Sequence, residues 1–176
     1  MGVSANALFL TWYNLCMDKG TEAEKSERLK INIEKAKEIY NKNPEIWCPY
    51  FSANVTLNSD GFNHLLNKPN RLPRNIDEKL LKISLVKKAI EIIKKSGTLQ
   101  RYRDRMEKTG KPARDGFYKT SRVQYWGLEA IIGEQKKIKI VVVLRKVGDG
   151  KLTFWSVLPH KKFNNQKLYS EGIEED

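Results

Sequence analysis

The sequence holds only two histidines, His64 and His160, and two cysteines, Cys16 and Cys48. Two cysteines are too few for a disulfide framework and lack the spacing of a zinc site, so a reducing compartment is expected. Two histidines leave general acid/base chemistry few places to reside. No apolar run approaches membrane-spanning length, and the opening Met1-Gly-Val-Ser-Ala-Asn6 has no positively charged leader region. Together these predict a soluble, cytoplasmic protein with no membrane partner. Gly-rich phosphate loops of the Walker or dinucleotide kind are absent, as is a Ser-centred nucleophile elbow, and no pair of acids stands at ligand spacing near either histidine. P-loop, α/β-hydrolase and metal chemistry find little support, and no cofactor is expected.

What the chain has in excess is positive charge. The formal net charge is +12 over 176 residues, and its distribution is uneven. Residues 1–45 carry seven basic and seven acidic side chains, residues 46–162 carry 25 and ten, and residues 163–176 carry one and four. The excess therefore belongs to the middle segment. Such a segment either attracts a polyanion or forms a solvated surface. Interleaved aromatics favour nucleic acid, because their rings can also stack bases.

The densest mixture of aromatic and basic residues lies between Phe117 and His160, which reads as three strands. Arg122 to Ile132 is the first. Lys137 to Arg145, with its β-branched run, is the second, and Leu152 to Leu158 is the third. Gly148-Asp-Gly150 between the last two is a hairpin signal, because those residues tolerate positive φ. Upstream the pattern is helical. Helices are expected over 5–17 and, after the capping box Thr21-Glu-Ala-Glu24, up to Pro44. Asn54–Asn58 reads as a short strand, Ser59 as the cap of a brief helix ending near Asn67, and Asp77–Lys95 as one long helix with Lys79, Lys82, Lys87 and Lys94 facing water. Pro49 argues against an interior strand at Ile46–Phe51, and the Arg-rich stretch 98–116 reads as solvated loop or nucleic-acid contact. The expected architecture is α+β: N-terminal helices followed by a small antiparallel sheet of about four strands, with helices packed on one face. Three segments follow, a helical hairpin extension (1–45), a main domain (46–162) and an acidic tail (163–176).

Four side chains draw attention as chemistry. His64 falls at the edge of the apolar stripe formed by Phe62, Leu65 and Leu66, where it reaches both core and solvent; an ordinary hydrogen-bonded histidine fits the same position. His160 precedes Lys161 and Lys162, whose charges disfavour its protonated form, though a solvent-exposed strand end fits it as well. Ser156 sits between Phe154 and Leu158 as a packing concession or a polar group aimed into a cleft. Arg145 shares a face of the second strand with Lys139, Val141 and Val143, which marks that face as not wholly sealed.

The order of these elements over residues 54–160 resembles the barnase–EndoU–colicin–RelE nuclease superfamily, most closely its phage-associated, barnase-like branch. The resemblance rests on Gly61-Phe-Asn-His-Leu-Leu66, the basic loop ending at Arg74, the apolar helix, and the strands Val123-Gln-Tyr-Trp-Gly127, Lys139 to Arg145 and Phe154-Trp-Ser-Val157. It implies a metal-independent endoribonuclease that cleaves RNA by attack of the 2′-hydroxyl on the adjacent phosphorus. By role it maps the catalytic set onto His64, Arg145 and Ser156, with Arg74 as a phosphate contact. Lys119, Arg122, Tyr125, Lys139 and His160 complete the candidate substrate contacts. Tyr125 and Trp126 point to opposite faces, so at most one stacks on a base. No glutamate occupies an obvious barnase-like base position. RNA is the implied partner, with an inhibitor or immunity-type protein a second one. The rival readings are a non-catalytic nucleic-acid-binding module and a toxin-like protein-interaction domain.

Overall fold

The computed structural model describes residues 20–68, 72–132, 138–160, 162–163 and 166–167, with side chains up to Leu158. The helix expected over 5–17 and most of the acidic tail lie outside the described residues.

Helix α1 (Glu22–Lys42) opens with the capping box read from the sequence: the Thr21 hydroxyl accepts from the Glu24 N–H, and the Glu24 carboxylate accepts from the Thr21 N–H at 2.8 Å. These bonds satisfy two amides that the first turn leaves unpaired. Strand β1 (Glu45–Cys48) then turns through a 3₁₀ segment at Pro49–Phe51 into β2 (Ala53–Thr56). Pro49 ends β1 and does not exclude it, since β1 lies at the rim of the sheet, where a proline deprives no neighbour of a donor. Helix α2 (Ser59–Leu66) is capped by Asn58, one residue earlier than expected, its side chain accepting from the Gly61 N–H at 2.9 Å.

The single helix expected over 77–95 is two, α3 (Ile76–Ser84) and α4 (Val86–Lys95), joined at Leu85, whose N–H bonds the Lys82 carbonyl three residues back. The break lets α3 bury Leu80 to Ser84 without interruption. Lys82 is therefore fully buried and does not face water; Lys87 and Lys94 are exposed as expected.

Strands β3 (Arg101–Thr109), β4 (Lys119–Ile132), β5 (Ile138–Val147) and β6 (Thr153–His160) form an antiparallel meander closed at Gly148, whose φ of 51° is the left-handed conformation the turn needs. The fold is α+β as read, but among the described residues the sheet has six strands, in the order β1-β2-β6-β5-β4-β3, and is mixed because β2 meets β6 parallel. The stretch read as loop supplies β3. Its alternation of Arg101, Arg103 and Arg105 is the period-2 signature of a strand, carried by charges because the strand is an edge.

The main core lies between the helices and one face of the sheet. It joins Ala36 and Tyr40 of α1, Ala89, Ile90 and Ile93 of α4, and Leu128, Ile140, Val142, Leu144, Phe154 and Val157 of the sheet. A smaller apolar cluster, Val123, Tyr125, Val141, Val143 and Leu158, lies on the other face.

Two irregularities in β6 position everything that follows. First, β2 pairs with β6 only at Thr56 and Thr153, so beyond that point no described strand flanks β6 on that side. Helix α2 fills the opening so closely that a Cβ added to Gly61 would stand 2.1 Å from the Phe154 carbonyl oxygen. Second, Phe154 pairs with Leu144 and Ser156 with Val143, which leaves Trp155 as the extra residue of a bulge. Strict alternation would put Phe154 and Ser156 on one face. The bulge sends Phe154 into the main core and sets Ser156 on the side of Val143.

Candidate active site

The β6 bulge turns Trp155 onto the smaller apolar cluster, and two of the predicted residues meet on its ring. The His64 imidazole stacks on the indole with centroids 4.3 Å apart and planes 23° from parallel. The Arg145 guanidinium carbon lies 4.2 Å from the same ring centroid. Imidazole and guanidinium, 81 positions apart in sequence, are thus within two stacking distances of each other. His64 gets there because α2 lies along the open side of β6.

His64 is 5% exposed, and the backbone behind it is held by Arg74, whose Nε donates to the His64 carbonyl at 3.4 Å and whose own N–H donates to the Leu66 carbonyl at 3.2 Å. A guanidinium at the last turn of a helix complements the negative end of its dipole. Arg74, itself buried, sits in the positioning layer behind the imidazole.

Ser156 is adjacent to Trp155 in sequence yet points elsewhere. Its hydroxyl accepts from Lys82 Nζ at 3.0 Å, and the same ammonium donates to the Val157 carbonyl at 3.3 Å; Lys82 and Ser156 are both fully buried. The serine ties α3 to the bulge.

Arg145 has two acquaintances besides Trp155. Its guanidinium lies 5.8 Å from the Tyr125 ring centroid, and a terminal nitrogen is 3.9 Å from Glu107 Oε2, a loose ion pair. Its Nε is buried and has no hydrogen-bond partner among the described residues. Glu107 is better engaged elsewhere: it pairs closely with Arg105 and accepts from the Tyr125 hydroxyl at 3.0 Å. Burial raises the Tyr125 pKa, outweighing the opposing pull of Arg145, so the phenol keeps its proton and stays a donor.

The remaining predicted contacts are spread out. Lys139 pairs with Glu129, which also binds Arg101 at 2.6 Å, on the Arg145 face of the sheet. Arg122 forms a bidentate pair with Asp104, at 3.0 and 2.9 Å from its Nε to the two carboxylate oxygens, on the opposite face of the meander, and Lys119 is exposed at the start of β4. The backbone of His160 pairs with Lys139, and its side chain lies outside the described residues. Among the described residues, no three His, Cys, Asp or Glu side chains are grouped to hold a metal ion, and no helix is long and apolar enough to cross a membrane.

Sequence reasoning missed three participants. Trp155 was hidden by the bulge, which no alternation pattern announces. Glu107 lay in the stretch read as loop. Lys82 follows the charged face of an ideal helix, and only the unbroken burial of α3 from Leu80 to Ser84 distinguishes it. In comparisons with family models, curated proteins and solved structures, none matches this chain.

Proposed function

We propose that the chain is an endoribonuclease that needs no metal and acts where His64 and Arg145 share Trp155. The observation that carries the reading is Arg145: a largely buried guanidinium whose Nε has no described partner, whose ion pair is long, and which shares the Trp155 ring with a histidine. A buried cationic donor without a partner is costly, and a phosphate oxygen is the acceptor that best relieves it. In the proposed reaction Arg145 swings from the indole to the phosphate. His64 takes the proton of the ribose 2′-hydroxyl, the 2′-oxygen bonds to phosphorus, and the bond from phosphorus to the 5′-oxygen breaks. The products are a 2′,3′-cyclic phosphate and a 5′-hydroxyl end, whose oxygen takes a proton from solvent. Arg145, with Lys139 further along the same strand, offsets the charge that builds on the phosphoryl oxygens. Ser156 and Arg74 act behind the site, through Lys82 and through the His64 backbone. An inhibitor of the immunity type would be acidic and compete for Arg145, and the buried thiol of Cys48 suits a reducing cytoplasm.

The burial of His64 favours a second reading, a nucleic-acid-binding module without chemistry. Labelled single-stranded RNA in excess EDTA separates the two. The nuclease reading expects cyclic-phosphate ends, and a loss of about 10²-fold or more for His64→Ala. Intact RNA that is nevertheless bound would establish the module, and cleavage unchanged in His64→Ala would remove the assigned base.

A further inference from the structure

A cleft of about 400 Å³ opens at the other side of the β5–β6 turn, away from Trp155. Its walls include Phe51, Trp126, Gln124, Lys146 and Lys151. Trp126 is half-buried and packs edge-on against Phe51, with ring centroids 5.3 Å apart, while the half-exposed Tyr102 ring lies 5.7 Å from it and tilted by 42°. Gln124 donates to the Tyr102 hydroxyl at 2.7 Å, which braces this ring at the margin. Lys146 makes no ion pair among the described residues, whereas Lys151 is held by Glu45 at 3.1 Å.

We infer that this cleft is a second subsite for single-stranded RNA, taking one unpaired base against Trp126 with its phosphate on Lys146. The inference rests on the RNA reading above and extends it. Aromatic rings beside a lysine supply stacking and charge together, the two components that bind single strands without reading sequence. An apolar peptide segment would find the amide of Gln124 and an ammonium where it needs greasy walls. The position also fits. Arg145 and Lys146 are neighbours on β5 and point to opposite faces of the sheet, so a strand whose phosphate rests on Arg145 reaches the cleft by passing over the turn at Gly148 to Gly150. No side chain projects there from either glycine. Of the two adjacent aromatics on β4, Tyr125 is buried in the smaller apolar cluster and committed to Glu107, which leaves Trp126 as the stacking ring.

The test uses a fluorescein-labelled dodecamer of 2′-O-methyl RNA, which binds but has no free 2′-hydroxyl to attack. Anisotropy titrations compare the parent with Trp126→Ala, Trp126→Phe and Lys146→Gln. Trp126→Ala is expected to weaken binding about tenfold, and Trp126→Phe to restore most of it. Lys146→Gln is expected to lower the slope of log affinity against log salt by about one. A dinucleotide with a free 2′-hydroxyl, too short to occupy both places, is expected to be cleaved by Trp126→Ala at the parental rate. If Trp126→Ala does not fold, Lys146→Gln decides on its own through the salt slope, because it leaves the core untouched. Dodecamer affinity within about twofold of the parent in every variant, with the salt slope unchanged, would overturn the proposal. So would variants that alter self-association in sedimentation while leaving RNA binding alone, since the cleft would then belong to a second copy. The two readings fail separately: Trp126-dependent binding without cleavage keeps the subsite and sinks the nuclease, and cleavage with Trp126-independent binding does the reverse.

Discussion

The ammonium of Lys82 donates to the hydroxyl of Ser156 across 74 positions of sequence, and solvent reaches neither side chain. This pair fastens α3 to the β6 bulge, so it fixes the residue next in line, Trp155. Lys82→Ala is expected to cost about 2–4 kcal/mol, through lost packing of the stem and through the acceptors it strands. Ser156→Ala is expected to cost about 1–2 kcal/mol. Because the two act through one bond, the double variant should lose less than the sum by about 1 kcal/mol. Chemical denaturation of the four proteins measures this, and strict additivity would show that the bond does not couple helix to strand.

Gly61→Ala offers a test with opposite signs. In an exposed helix the change adds about 1 kcal/mol of stability. Here the new methyl would enter the Phe154 carbonyl, so a loss of about 2–3 kcal/mol is expected as α2 is pushed from β6. A thermal melt that moves upward would show that α2 stands off the strand.

Trp155→Ala removes the surface on which His64 and Arg145 both rest. Small misplacements of reacting groups cost on the order of 10²-fold in rate. That loss is expected in kcat for RNA cleavage, with KM changed much less, while Trp155→Phe keeps a ring and most of the rate. Equal rates for Trp155→Ala and the parent would separate the indole from catalysis.

Acid should reveal the Glu129 node. Burial pushes the Glu129 pKa up, but the hydrogen bonds from Lys139 and Arg101 together outweigh it, and the folded value lies below the ordinary 4.5. A depressed folded pKa gives stability that is present above the unfolded value and lost as pH falls through the folded one. Denaturation midpoints of the parent and Glu129→Gln should therefore differ at pH 7 and converge as pH falls below about 4.5. A gap that persists in acid would assign the difference to packing.

Much of the meander was legible because its signals are local. The β-branched run of β5, the Gly148 turn and the capping box at Thr21 each express a preference of a few neighbouring residues. What escaped depends on residues far apart. The parallel contact of β2 with β6 rests on one pair, Thr56 and Thr153. The break at Leu85 serves the burial of α3, and the bulge at Trp155 reverses which face Ser156 takes. For the same reason the candidate site was half visible. His64 and Arg145 were chosen for their chemistry and do come together, but the ring that joins them, the lysine behind Ser156 and the carboxylate of Glu107 emerge only from packing.

Among the described residues, strand β3 is an outer strand of the sheet, bonded to β4 on one side alone. Its residues Arg101, Arg103, Arg105 and Lys108 put cations along a border where unpaired amides and carbonyls would otherwise template another molecule's strand. A copy of the chain approaching that border meets its own charges, and one Arg103→Val or Arg105→Val change would smooth the path to intermolecular sheet growth. The Arg-rich stretch that looks like a loop in the sequence thus sets charge along the border where strand pairing would otherwise continue.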